Sequence, residues 1–167
     1  RSPGATKGRF QPSPWWATAT LAWVIAQGAF GALTVTMKLY PAIVTLHLLG
    51  GGVLLALLTW LALREDEATP ADAAGRTFRP AAIAALLVVF VQIALGGWVS
   101  SNYAVLACPD LPLCQGAVVP QMDFAHGFTG WRELGRTGAG ELIPFQALVA
   151  IHWVHRVFAL VVFGLLG

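Results

Sequence analysis

The sequence predicts an all-α bundle of membrane-spanning helices, because its composition and its long apolar stretches both suit the hydrocarbon core of a bilayer. Of its 167 residues, 57% are hydrophobic and 11% are charged, against roughly 45–50% apolar and about 25% charged residues in a soluble domain. The net charge of +2 is too small for nucleic-acid binding. Two cysteines and four histidines are too few for a disulfide-dense scaffold or a zinc-finger array. We therefore exclude a disordered chain and a water-soluble globule.

Four apolar stretches are each long enough to cross the hydrocarbon core, which needs about 20 helical residues. They run from about Trp15 to Met37, Leu39 to Leu63, Pro80 to Ser100 and Ile143 to Gly167. The first stretch is too long for a signal peptide, and further spans follow it. Because the sequence starts with Arg1 rather than Met and stops within an apolar stretch, we expect an internal piece of a longer protein, inactive by itself.

The distribution of Lys and Arg predicts the orientation of the spans, since these residues are retained on the cytoplasmic side. Segments 1–14 and 64–79 each contain three of them. The turn between the first two spans contains only Lys38, and segment 101–142 contains two in more than twice the length of segment 64–79. We therefore predict a membrane protein with a cytoplasmic N-terminal segment (1–14), two spans (15–63), a cytoplasmic loop (64–79) and a second two-span unit (80–167) with an outer loop (101–142).

A short internal repeat links the first and third spans. Residues Gln27–Leu33 align with Gln92–Trp98, and each patch combines a glutamine with small residues. Each is followed by an outer connection and then by a span that carries histidine in its outer half. Small residues at such a place allow a neighbouring backbone or a flat ligand to come close.

Three histidines lie inside predicted spans, where ionisable residues are costly and by default functional. His47 lies about six residues in from Pro41, or roughly 9–10 Å, His152 lies at a similar depth, and His155 follows one turn further. Each ring could simply bond to a neighbouring helix. A neutral imidazole in a helical bundle is also the usual axial ligand of haem iron, and histidines at similar depth on two helices favour that interpretation. His152 and His155 share one helix face and cannot both ligate one iron, so the residues alone pair His47 with His155.

Arg156 would give this site a fixed positive charge. A guanidinium suits a haem propionate, with bidentate bonding where the geometry allows. The alternative is an ion pair with a carboxylate on a helix outside this chain.

The predicted outer loop contains two cysteines. Cys108 and Cys114 enclose two prolines in a segment short enough to close as a disulfide on the oxidising side of the membrane. We expect a structural clamp over the outer mouth, with a redox-active pair as the alternative. Two thiolates without a nearby histidine fall short of the four ligands of a metal site, which argues against such a site here. The rest of the loop, from Met122 to Gly135, predicts a short interfacial helix with a solvated His126 and surface charges at Asp123, Arg132 and Glu133.

Together these patches resemble the haem A synthase family, membrane enzymes that convert haem O to haem A for cytochrome oxidase. The resemblance covers nearly the whole chain from about Gln27 onward. It rests on Gln27–Val35, Ile43–Gly51, Leu95–Tyr103, Ala107–Gly116 and His155–Arg156.

The resemblance implies a pseudo-repeat of two four-helix bundles in the whole protein, of which this chain contains the third to sixth helices. It implies that His47 is the second haem ligand of the first bundle and His155 the first ligand of the second, so that the two do not share a haem. The family's catalytic glutamate is expected before Arg1, and the catalytic residues of this chain are unknown. The role of His152 stays open, although we group it with the cofactor-binding residues.

The chemistry implied by the resemblance is oxidation of a methyl group of haem O to a formyl group. The implied cofactor is haem b, with haem O and haem A as substrate and product. The implied partners are a farnesyltransferase that supplies haem O and the membrane lipid, while a homo-oligomer stays open. Two other functions compete with this one: a diheme b-type electron-transfer subunit that binds quinol, and a transporter with buried histidines as a proton relay.

Overall fold

The computed structural model describes residues 14–65 and 73–167, and the predicted N-terminal segment 1–14 falls almost wholly outside this part. The predicted loop 64–79 falls partly outside it. The described residues form helices joined by turns and loops, and they contain no strand. The helices are α1 (Pro14–Thr36), α2 (Pro41–Glu65), α3 (Ala73–Ser101), a 3-10 turn (Ala104–Leu106), α4 (Phe124–Gly127) and α5 (Phe145–Leu166).

The membrane-spanning character of the fold is confirmed. Within the described residues, four helices are long and apolar enough to cross a membrane: Trp15–Thr36, Pro41–Leu63, Gly75–Ser101 and Phe145–Leu166. Helix α3 begins about two turns before Pro80, where the apolar composition predicted its start. The preceding residues include alanine and arginine, which are good helix formers whether or not they face lipid. Apolar composition therefore located the span but not the helix end.

The four long helices pack side by side in the order α1, α2, α3 and α5. The indole of Trp23 on α1 donates to the carbonyl oxygen of Gly50 on α2 at 3.0 Å. The hydroxyls of Thr45 on α2 and Ser101 on α3 lie 3.3 Å apart. Because lipid offers no hydrogen-bond partners, these bonds satisfy polar groups within the protein while linking adjacent helices.

The best-packed part of the molecule lies at one end of the row, which we call the loop end because residues 102–144 cover it. Fully buried side chains there include Ala104, Ala147, Ala150 and Ile151, none more than 1% exposed. Elsewhere most large apolar side chains on the long helices are exposed, as expected for surfaces that face lipid or further helices.

The interfacial helix predicted between Met122 and Gly135 is much shorter in the structure. Only Phe124–Gly127 is helical, with the Asp123 side chain accepting from the His126 backbone N–H at its start. The chain from Trp131 to Gly135 is not helical, and Gly135 has a φ of +73°. A positive φ is a conformation that glycine adopts readily and that ends a helix. Aromatic and charged composition indicated an interfacial segment without distinguishing helix from turn.

Gly127 joins this short helix to α5. A Cβ at Gly127 would lie 2.9 Å from the carbonyl oxygen of Ala147. The carbonyl of Gly127 also accepts from the indole of Trp98 at 2.9 Å. A methyl group here would collide with helix backbone rather than with a flexible side chain.

We therefore predict that Gly127→Ala lowers the stability of the full-length protein in detergent by about 1–3 kcal/mol, the usual range for overpacking. Thermal or denaturant unfolding midpoints measure the change. Gly130→Ala is the matched control, because a Cβ at Gly130 meets nothing within 4 Å. Equal midpoints for the two variants would show that the loop does not dock as described.

Candidate functional site

Two histidines lie directly on glycines of the adjacent helix. A Cβ at Gly31 of α1 would lie 3.3 Å from Cε1 of His47 on α2. A Cβ at Gly96 of α3 would lie 3.2 Å from Cε1 of His155 on α5. Both distances are shorter than ordinary carbon–carbon contact, which is about 3.5–4.0 Å. A methyl group at either glycine would therefore require the imidazole to move by a few tenths of an ångström.

The glutamines of the internal repeat lie beside the same contacts. In both helix pairs the glutamine precedes the glycine by one helical turn, Gln27 before Gly31 and Gln92 before Gly96. The Gln92 side-chain nitrogen lies 3.1 Å from Nδ1 of His155. The Gln27 side chain occupies the space in which a Cβ of Gly50, one turn beyond His47, would stand. The repeat seen in the sequence therefore corresponds to a repeated local arrangement of glutamine, glycine and histidine.

His47 and His155 lie on helices that are not neighbours in the row. Helix α3 packs against both α2 and α5, and no Cα atom of the described part of α2 lies within 8 Å of a Cα atom of α5. The family resemblance implies separate haems for His47 and His155. Their assignment as ligands stays a prediction.

The histidines of this site suit a haem better than a metal ion that is bound only by protein side chains. The described residues contain no group of three or more histidine, cysteine, aspartate or glutamate side chains that could hold a metal ion. Haem iron needs from the protein only axial ligands, since the porphyrin supplies the other donors. Nδ1 of His47 is buried and has no hydrogen-bond partner among the described residues. A bound group at His47 would give this buried nitrogen a partner.

Arg156 is directed toward the disulfide loop. Its Nε donates to Nε2 of His152 at 3.1 Å. Its terminal nitrogens donate to the carbonyl oxygens of Asp110 at 2.6 Å, Leu113 at 3.1 Å and Cys108 at 2.6 Å. These bonds use four of the five N–H groups of a guanidinium. The propionate role predicted for Arg156 stays a prediction, with one N–H group left for it in this arrangement.

The contact with Arg156 defines what His152 does here. Arginine can only donate, so Nε2 of His152 accepts and its imidazole is neutral with the proton on Nδ1. A nitrogen that accepts from a guanidinium has no lone pair free for iron. In this arrangement the buried His152 supports Arg156, while His155 on the next turn remains the ligand candidate of α5.

Cys108 and Cys114 form the predicted disulfide. Both residues are only 2% exposed and pack with Ala107 and Val149. Thiol–disulfide exchange requires access of a thiolate to a sulfur atom, so burial favours the structural role over the redox-active one. Arg156 on α5 binds the disulfide loop, which we define as residues 108–114, through hydrogen bonds to its backbone carbonyl oxygens.

The segment after the disulfide is fixed by the carboxylate of Asp110. It accepts from the backbone N–H groups of Gln115 at 3.1 Å and Gly116 at 2.8 Å. The bond from the Gly116 N–H is the largest cause that holds the pKa of Asp110 below its ordinary value. Burial opposes it, and the Gln115 N–H and the Arg156 charge lower the pKa by smaller amounts. The ionised form of Asp110 therefore stabilises this turn.

Sequence reasoning missed Arg132, which we expected to be a surface charge and which is only 2% exposed. It donates to the side-chain oxygen of Asn102 at 2.5 Å and lies over the Trp98 ring, 5.7 Å from its centroid. Burial lowers its pKa. An aromatic face and an amide oxygen accommodate a guanidinium in a way that local sequence does not show. The prediction of a solvated His126 is confirmed, since its side chain is exposed and its ring bonds to the carboxylate of Asp123 in the same loop.

We predict that Arg156→Met makes the Cys108–Cys114 disulfide easier to reduce in the full-length protein. Hydrogen bonds to a charged group are each worth about 1.5–3 kcal/mol, and about 1.4 kcal/mol is a factor of ten. We therefore expect reduction to be at least about ten times faster, measured by trapping free thiols over time. Arg136→Met is the control, because Arg136 bonds to the carbonyl of Gly140 outside the disulfide loop. Equal rates in both variants and the native protein would contradict the role of Arg156.

The Asp110 carboxylate predicts a pH dependence of the same loop. A carboxyl group whose pKa is lower in the folded state stabilises that state above the unfolded value, which is about 3.9 for aspartate. The contribution is lost as the pH falls through the lower folded value. With a phosphine reductant, we expect Asp110→Asn to be reduced faster than the native protein above about pH 4, with the difference shrinking below it. A constant difference across this range would contradict the prediction.

Comparison with known proteins places the chain in a family. Residues 5–167 match the COX15-CtaA family of cytochrome oxidase assembly proteins. No solved structure matches the chain at a significant level.

The relatives include proteins named heme A synthase from three bacteria. The Shewanella oneidensis protein is 39% identical over 145 residues, which cover 86% of this chain and 44% of that protein. The Methylobacterium radiotolerans protein is 33% identical, with 82% and 36% covered. The Halalkalibacterium halodurans protein is 30% identical, with 81% and 46% covered. The chain thus spans less than half the length of these relatives, and it belongs to the COX15-CtaA family of cytochrome oxidase assembly proteins, the haem A synthase family that its motifs resemble.

Proposed function

We propose that the full-length protein is a haem A synthase, which oxidises a methyl group of haem O to a formyl group, and that His47 and His155 of this chain would each hold one of two haems. The proposal rests above all on one observation. His47 and His155 each lie on a glycine of the neighbouring helix, beside a glutamine of the internal repeat. The heme A synthase names of the relatives support the same activity.

In this proposal, His47 and His155 would each hold a haem through one imidazole nitrogen. Gly31 and Gly96 leave the space that sets the position of each ring. One haem is substrate or product, and the other is haem b, which supplies one-electron redox chemistry when bound. The catalytic glutamate expected from the family lies outside this chain.

The loop end contributes rigidity and exclusion of water. Arg156 joins α5 to the disulfide loop through bonds to three carbonyl oxygens. Arg132 joins the end of α3, through Asn102, to the chain that precedes α5. Such a cover would restrict water access and the escape of a partly oxidised haem.

We place the protein in a bacterial inner membrane with the loop end on the outer side. The buried Cys108–Cys114 disulfide agrees with that orientation, since disulfides persist in oxidising compartments. The exposed apolar faces of the long helices are suited to lipid or to the remaining helices. Haem O would come from a farnesyltransferase that makes it.

We predict that His47→Ala and His155→Ala each remove about half of the haem bound by the full-length protein, because each removes one axial ligand of one of two haems. Bound haem is measured from the Soret band per protein after purification in mild detergent. His126→Ala is the matched control, because His126 is exposed in the loop and should leave the haem content unchanged. Normal haem content in both span variants would contradict the ligand assignment.

The identity of the extracted haem separates this proposal from the diheme electron-transfer subunit. We expect chromatography of the extract from the native protein to contain haem O or haem A together with haem B. An extract with haem B alone would favour the electron-transfer subunit, which the relatives do not favour. A protein without a Soret band would favour the transporter.

A further inference from the structure

One buried charge of the loop end has no carboxylate to neutralise it. Arg132 is only 2% exposed, and it donates to the side-chain oxygen of Asn102 and to the backbone carbonyl oxygen of Arg136. Its Nε atom is buried without a hydrogen-bond partner, and no carboxylate among the described residues forms an ion pair with it. A charge removed from water is costly unless an opposite charge or hydrogen bonds compensate it. Arg132 is therefore placed to attract an anion from outside the chain.

Next to this charge lies a cavity of about 550 Å³, within the range of about 300–1,000 Å³ that is usual for small-molecule sites. Arg132, Arg136 and Glu133 are among the residues that line it. Arg136 and Glu133 form an exposed ion pair in which nitrogen and oxygen lie 3.8 Å apart, so their charges largely cancel. The charge of Arg132 is left over, and the wall of the cavity is therefore net positive.

The cavity lies where the membrane-spanning part of the chain ends. Tyr40, another lining residue, directly precedes Pro41, at which α2 and its span begin. The Tyr40 ring packs against that of Trp131, with centroids 4.7 Å apart, and Trp131 is 65% exposed. Tyrosine and tryptophan are enriched at the headgroup level of a bilayer. Lys38 adds a positive charge in a neighbouring cavity that Tyr40 and Glu133 also line. The cavity therefore lies at the depth of lipid headgroups, in a locally positive surface.

We propose that this cavity binds the phosphate group of an anionic phospholipid from the leaflet at the loop end. Arginine forms strong charge-assisted hydrogen bonds with phosphate oxygens, and basic pockets between membrane spans are suited to anionic headgroups. A zwitterionic headgroup carries its own ammonium group, which would cancel the charge that the cavity offers. This inference goes beyond the proposed function and does not depend on haem binding.

The bound headgroup would connect two separate parts of the chain. Tyr40 belongs to the connection between α1 and α2, whereas Arg132 and Arg136 belong to the connection between α3 and α5. A ligand held between them binds the folded state alone, so it stabilises that state by mass action.

The test measures lipid binding to the full-length protein in mild detergent by native mass spectrometry. The probe is phosphatidylglycerol, with phosphatidylcholine as the zwitterionic comparison. We expect one phosphatidylglycerol per protein to bind more tightly than any phosphatidylcholine. Arg132→Gln should weaken this binding by at least about ten-fold, because it removes a buried charged donor. Arg136→Gln should weaken it by about five-fold, the usual effect of one basic residue near a membrane surface. Arg79→Gln is the matched control, because it removes the same charge from an exposed position near the opposite end of α3.

Each outcome decides for or against the lipid site. Phosphatidylglycerol binding that falls in Arg132→Gln and Arg136→Gln, but not in Arg79→Gln, supports the inference. Equal affinity for the two lipids, or an equal loss in all three variants, overturns it. Displacement of the lipid by inorganic phosphate at equal concentration would assign the site to the free ion and overturn the lipid assignment. A parallel loss of the Soret band in Arg136→Gln would assign the anion to haem, with the same consequence. If Arg132→Gln does not fold, the exposed Arg136 decides, and native affinity in Arg136→Gln overturns the inference.

Discussion

The contact between an imidazole and a glycine on the neighbouring helix is the constraint on which the rest of the structure depends. Membrane helices gain little from burying apolar side chains, because lipid is equally apolar, and they associate through close packing and hydrogen bonds. A histidine side chain can approach a facing helix this closely without displacement where the facing residue has no side chain. Gly31 and Gly96 meet this condition at equivalent positions of the repeat.

At the loop end, hydrogen bonds from two arginines link the helices to the chain between α3 and α5. These connections use charged groups that lipid would not tolerate, and the protein provides acceptors for them: backbone carbonyl oxygens for Arg156, and an amide oxygen with an aromatic face for Arg132. Such bonds are strong because the donor is charged and the surroundings are poor in water. The chain between α3 and α5 is thus fastened directly above His152 and one turn from His155.

The fold class and the ligand candidates follow from the sequence for physical reasons. About 20 apolar residues in succession have one stable form in a bilayer, so the spans were identified even though the start of α3 at Ala73 was not. His47 and His155 were identified because an ionisable group within a span is costly. The sequence misplaces Arg132 at the surface and leaves two roles open for Arg156. Their hydrogen-bond partners lie far away along the chain: Asn102 for Arg132, and Cys108, Asp110 and Leu113 for Arg156.

By itself, the sequence determined that the chain spans a membrane, that cysteines close a short loop, and that a glutamine–glycine pattern occurs before each histidine-bearing span. Only the tertiary structure shows that α3 lies between α2 and α5, and that Arg156 bonds to the disulfide loop. It also shows that His47 and His155 pack against glycines of the neighbouring helices. The physical reason is the range of the forces involved. Hydropathy acts residue by residue along the chain, whereas hydrogen bonds and close packing depend on which distant residues the folded helices bring within about 3–4 Å.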